Sequence, residues 1–231
     1  MKLKWILLYI IIVASITINA QNKPFQFGFN AGLNLGWFSS SNDDYKGEGA
    51  DFGGSWGFAA DFFILENYSF TTGVELLYLN GTMSYPALHN FDNLSFPTQG
   101  VLSREFKTKY IKVPLIFTMK TNEIGKLRYY GQIGFGFSVL YSAKAKDEFT
   151  SDDGITDSNS GNIYDEIYPT RESIILGAGV EIPIHKSTYA RVGIMFDNAF
   201  VNVLKGNNSI DPSLKNNGRN SFMELKATLL F

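Results

Sequence analysis

Acid–base, nucleophilic or metal chemistry needs particular side chains in reach of one another, and this sequence is sparing with them. It contains no cysteine, which excludes a thiol nucleophile, a zinc–thiolate centre and a disulfide framework. Its two histidines are His89 and His185. His89 has Asp92 nearby, a pairing in which a carboxylate could orient an imidazole for general-base work. His185 falls in a short polar turn. A solvated loop histidine is the simpler reading, so no catalytic residue is assigned. Asp147, Glu148, Asp152, Asp153, Asp157, Asp165 and Glu166 make one segment acidic and oxygen-rich. Its Asp152-Asp153-Gly154-Ile155-Thr156-Asp157 run lacks the spaced ligand order of an EF-hand, so it reads as a solvated, self-repelling loop with no metal assigned. Gly131-x-x-Gly134-x-Gly136 and Gly177-x-Gly179 touch on a dinucleotide fingerprint. That fingerprint needs a strand, a tight turn and a helix, whereas strand periodicity here runs through the glycines, and no cofactor is assigned.

The composition narrows the classes further. The 231 residues carry 20 basic and 22 acidic side chains, a formal charge of −2, which as a whole-chain balance leaves no footprint for nucleic acid or for an anionic membrane surface. Aromatic residues reach 15 %, with 22 glycines beside them, and this favours strands and turns over helices or disorder. Lys2 and Lys4 precede an apolar run from Trp5 to Ile18, ending in Ile18-Asn19-Ala20. This has the form of a secretory signal peptide over 1–20, cleaved after Ala20, and it is shorter than the roughly 20 apolar residues of a spanning helix. The mature domain is then 21–231.

Within that domain apolar residues recur at every second position. Phe25, Phe27, Phe29, Ala31, Leu33, Leu35 and Trp37 alternate with Gln26, Gly28, Asn30, Gly32, Asn34 and Gly36. The same split recurs over 55–64, 69–78, 111–118, 129–141, 173–182, 190–197 and 223–231, giving eight strands with one oily and one small or polar face. Short connections near 66–67, 121–126 and 185–187 alternate with long polar ones over 38–52, 83–103, 142–170 and 202–219. This describes an all-β, eight-stranded antiparallel up-and-down barrel, with short periplasmic turns and long extracellular loops.

An eight-stranded barrel cannot house so many Phe, Trp and Leu side chains inside, so the oily parity must face lipid in a bacterial outer membrane. The polar parity then lines the lumen. Asp61, Glu75, Glu181 and Glu224 face Lys112, Arg191 and Lys226 there, and buried charges need partners, so a salt-bridged plug is expected rather than an open channel. Phe25, Trp37, Trp56, Tyr68, Tyr78, Tyr110, Tyr129 and Tyr141 are assigned to the interfacial girdles. Pro114, inside the fourth strand, costs a ladder bond and predicts a local bulge. Met223 to Phe231 alternates and ends on Phe231, which resembles the C-terminal signature read by the outer-membrane assembly machinery.

Tyr110-Ile111-Lys112-Val113-Pro114-Leu115 resembles the Tyr-x-x-[Ile/Val]-Pro-Leu strand of the PorT-like outer-membrane β-barrel domain of Bacteroidetes. The Ala20-Gln21 cleavage context, Gly131 to Gly136 and Gly177-Ala178-Gly179-Val180-Glu181-Ile182-Pro183 add to the likeness. The resemblance implies the fold and the outer-membrane compartment; its founding member's role in gliding and secretion is not carried over. The expected protein is a monomeric anchor, not an enzyme. It meets outer-membrane lipid and the assembly machinery, and protein partners through extracellular loops or periplasmic turns. A secretion accessory or a small pore is the alternative.

Overall fold

A computed structural model of the chain describes residues 24–91, 96–185 and 187–231. The segment read as a signal peptide, 1–20, and Asp92 lie outside the described residues. Ten strands follow in order: β1 (Phe25–Ser39), β2 (Lys46–Gly47), β3 (Asp51–Leu65), β4 (Tyr68–His89), β5 (Thr98–Lys120), β6 (Arg128–Ser151), β7 (Thr156–Asn162), β8 (Thr170–His185), β9 (Thr188–Ala199) and β10 (Arg219–Leu230). Eight of them, all but β2 and β7, pair antiparallel with their neighbours around a closed wall. Closure is made by β10 on β1, in register from Gly28 opposite Leu230 to Ser39 opposite Arg219. The Phe231 amide adds one more bond, donating to the Phe27 carbonyl at 2.8 Å. Hydrocarbon offers no partner to a free strand edge, so only a closed wall is stable there. Among the described residues no helix is long and apolar enough to cross a membrane; the strands do the crossing.

The two faces follow the alternation. On β10, Leu225 is 57 % exposed on the outer surface while its neighbour Lys226 is only 8 % exposed inside. Phe25, Phe27, Phe29, Phe58, Phe70, Phe135 and Leu229 share the outer surface. Glycines make room for long lumen side chains at two close approaches. A Cβ on Gly32 would lie 2.6 Å from Glu224 Oε1, and one on Gly193 would lie 2.1 Å from the Tyr130 hydroxyl.

Two of the expected long loops are instead strand. β4, β5 and β6 run for 22, 23 and 24 residues, about 75 Å at about 3.3 Å per residue, although a membrane strand needs only about 9–11. Their upper halves keep pairing out to His89 opposite Thr98 and Gly100 opposite Ser151. β7 adds a further strand on β6, from Lys144 opposite Asn162 to Thr150 opposite Thr156. Residues 83–89, 98–103, 142–151 and 156–162 therefore form a sheet standing on the barrel rim.

The sidedness of the wall inverts where it leaves the membrane. Below the rim the outside is apolar and the inside polar. Above it, Leu77, Leu79, Met83, Phe106, Leu140, Ala143, Ala145 and Phe222 point inward and are buried together, while Lys107, Lys144, Lys146 and Glu148 point outward and are exposed. Val203 and Leu204, from the segment after β9, drop into the same core. This is the pattern of a water-soluble barrel continuing a membrane barrel, because the medium outside changes from lipid to water. Tyr110 is fully buried in this core, so its assignment to the lipid-facing girdle is corrected. The remaining girdle residues lie on the outer surface or are half-buried.

The bulge expected at Pro114 is not there. Pro114 stays in register opposite Gly136. On its other side, pairing with β4 lapses between Thr72 opposite Leu115 and Glu75 opposite Lys112 without a change of register. The missing donor is absorbed by leaving out ladder bonds rather than by inserting a residue. The register shift of this pair of strands falls instead between Lys109 and Tyr110, where Tyr141 is the extra residue on β6. A second shift falls at Pro183 to His185.

Candidate functional site: an ion-paired lumen beneath the sheet at the rim

Ten charged side chains are buried among the described residues: Asp61, Glu75, Glu181, Asp197 and Glu224 against Lys112, Lys120, Arg171, Arg191 and Lys226. The charges balance. They divide into two groups along the axis. Toward the short turns, Arg191 bridges Asp61 and Glu181, the latter at 2.9 Å. Lys120 joins Glu181 at 2.7 Å, and the Thr71 hydroxyl donates to Asp61 at 2.6 Å. Toward the rim, Asp197 sits between Lys112 at 2.8 Å and Arg171 at 2.7 Å. Lys226 reaches Glu75 at 2.7 Å and Glu224 at 3.2 Å, and the Ser55 hydroxyl donates to Glu224 at 2.6 Å. Asn30 donates to Glu75 at 3.1 Å, tying β1 to β4 across the lumen.

Asp61, Glu75, Lys112, Glu181, Arg191, Glu224 and Lys226 all point into the lumen and divide between these two groups. Lys120, Arg171 and Asp197 were absent from the set read from the sequence. The signal for them was parity: Lys120 is eight residues from Lys112, and Asp197 six from Arg191. Arg171 precedes the apparent start of its strand, so only the true strand limit reveals it. Buried opposite charges at these distances cross-link the wall from strand to strand.

Little space is left between the groups. Ile116, Ile175 and Met195 form an apolar patch inside the lumen, and a cavity of about 30 Å³ bordered by Glu75, Tyr130, Gln132, Arg191 and Lys226 is the size of a water molecule or two. Phe222 floors the apolar core above, with the Lys112 ammonium 5.1 Å and the Arg171 guanidinium 5.5 Å from its ring centre. An ion entering from outside would meet the apolar core first and the salt-bridged layer next.

Above the rim, the inner face of the sheet holds a second cluster. Arg104 donates to both oxygens of Asp147, each at 2.6 Å, and reaches Glu166. Tyr85 lies beside it; burial, helped by the Asp147 and Glu166 charges, pushes its phenol up to about 12 against the pull of Arg104. His89 lies 2.7 Å from Asp157, so its carboxylate partner comes from β7. Its ring stacks on Phe149, with centroids 4.9 Å apart, and meets Phe91 edge-on. The pair clasps β4 to β7, which are not neighbours in the sheet, and curls it around a cavity of about 210 Å³ lined by Leu102, Arg104, Asp147, Phe149 and Asn159. Asp147, Asp157 and Glu166 thus each have an ion-pair partner, Asp157 and Glu166 while still exposed to solvent. Among the described residues no three His, Asp or Glu side chains gather as metal ligands would.

A closed eight-stranded wall, oily outside and charged within, defines a transmembrane β-barrel of the outer-membrane type. The chain belongs to the outer membrane protein beta-barrel domain family, which it matches over residues 19–214, and it resides in the bacterial outer membrane. Solved structures similar to it include Neisserial surface protein A, 14 % identical, with 88 % of this chain and 95 % of that one covered at a TM-score of 0.45. Ail, the attachment invasion locus protein of Yersinia pestis, is 16 % identical over 90 % of this chain and all of its own, at 0.38. OprG from Pseudomonas aeruginosa is 9 % identical over 93 % and 96 %, at 0.40. No curated protein matches the sequence.

Proposed function

We propose that this chain is a membrane-anchored interaction protein whose working surface is the extracellular sheet of β4 to β7, and that its barrel serves as an anchor, neither conducting nor catalysing. The observation that carries this reading is the double closure of the lumen, by the ion-pair layer and by the apolar core above it. A closed barrel leaves the parts beyond the membrane to do the work. Engagement of the His89 imidazole by Asp157 and by two phenyl rings supports a clasp over a proton relay. On this reading 1–20 is removed on export, Phe231 belongs to the segment the assembly machinery reads, and the Tyr110 to Leu115 motif assigns the chain to the PorT-like group.

Planar-bilayer recording combined with site-specific photo-crosslinking in living cells tests it. A silent barrel, with a crosslinker at Asn159 trapping a discrete partner and one at Leu225 trapping none, is the expected outcome. A steady single-channel conductance would turn the assignment toward a pore.

A further inference from the structure

The outer face of the extracellular sheet carries a charge pattern of its own. Lys107 and Lys144 are directly paired on β5 and β6, so both side chains leave the same face. Lys109 lies two residues nearer the membrane, opposite Tyr78 on one side and Ser142 on the other, and Lys146 lies two residues farther out. All four are exposed. Among the described residues only Lys107 has an acidic partner, Glu105 at 2.9 Å. The Lys109 ammonium rests 5.3 Å from the centre of the Tyr78 ring at the top of the oily band. Like charges directly opposite one another weaken a sheet. Of the acids on the same strands, Asp147 turns inward to Arg104, while Glu105, directly opposite Lys146, and Glu148 share the outer face, so the four lysines leave it a net charge of +2.

Height above the membrane selects the counter-charge. Ile111 and Val113 are the last lipid-facing residues of β5. At about 3.3 Å per residue and a tilt of about 40°, Lys109 and Lys107 stand about 5 and 10 Å above Ile111. This is the depth of lipid headgroups, where clustered lysines recognise anionic lipid. We propose that Lys107, Lys109, Lys144 and Lys146, brought together on the lipid-side face of β5 and β6, form a docking site for the phosphate groups of outer-leaflet lipid.

Native mass spectrometry of the folded, detergent-solubilised barrel tests this with bis-phosphorylated lipid A, the same lipid after dephosphorylation, and inorganic phosphate as competitor. The phosphorylated lipid should bind at least about tenfold tighter than the dephosphorylated one. The variant K107Q/K109Q/K144Q/K146Q should lose that preference, and the corresponding fourfold Lys-to-Arg variant should keep it. Should the fourfold glutamine variant fail to assemble, K107Q/K144Q carries the same expectation at a smaller loss. Equal binding of the two lipids, an unchanged preference in the glutamine variants, or displacement of the lipid by equimolar inorganic phosphate would each overturn the assignment. None of these results bears on whether the lumen is closed.

Discussion

Replacing Asp197 by Asn removes one charge from the middle of the lumen with almost no change of shape, and its cost depends on whether water reaches that point. Asp197 lies between Lys112 and Arg171 at 2.8 and 2.7 Å, and all three side chains are fully or almost fully buried. Among the described residues Arg171 has no other carboxylate, and the next for Lys112 is Glu75 at 4.0 Å. In a dry lumen the change strands two cations, which costs about 3–5 kcal/mol. In a water-filled lumen the same pairs would be screened and worth about 0–1 kcal/mol. Urea unfolding from lipid vesicles, followed by tryptophan fluorescence and by the heat-modifiable band on gels, reads the difference. The predicted loss is about two to three and a half decades in the unfolding constant. Arg171→Gln in the same molecule restores the balance, so the double variant should lose less than the sum of the single ones, with a coupling of about 0.5–3 kcal/mol. A cost below about 1 kcal/mol with strictly additive singles would refute the dry lumen.

Two further predictions concern the part above the membrane. Phe106, buried in the apolar core against Phe38 with ring centres 4.6 Å apart, should cost about 3–5 kcal/mol when changed to Ala, read by the same urea titration. Tyr85 should ionise near pH 12 rather than 10, seen as its missing share of tyrosinate absorbance when compared with Tyr85→Phe. Because its folded value is raised, the stability it contributes is complete below about pH 10 and fades as pH rises toward 12.

The eight wall strands were legible because a lipid-facing strand must repeat its apolar residues at every second position, as Phe25 to Trp37 and Met223 to Phe231 do. The rule fails where the surroundings change. Beyond Tyr78 and Ile111 the outside is water, so Asn80, Thr82, Lys107 and Lys109 stand where oily residues would be expected, and the segment passes for loop. On β6 the extra residue Tyr141 also shifts the parity, so Ala143 and Ala145 fall out of step with Phe137 and Val139. The same truncation hid Lys120 and Arg171, which lie at or beyond the apparent strand ends. The His89–Asp157 clasp spans 68 positions in the chain; it exists only because the sheet curls, and no local spacing encodes it.

The inversion of the wall at the rim is tested most directly by single-cysteine accessibility, for which the cysteine-free chain is an unmodified background. Four substitutions on β6 suffice: Phe137→Cys and Ser138→Cys within the membrane, Lys144→Cys and Ala145→Cys above it. With the barrel in lipid vesicles, a membrane-impermeant maleimide should label only Lys144→Cys, and a lipid-soluble probe only Phe137→Cys. Rapid impermeant labelling of Phe137→Cys together with Ala145→Cys would contradict the reading, because it would mean an oily face in water and an unsealed mouth.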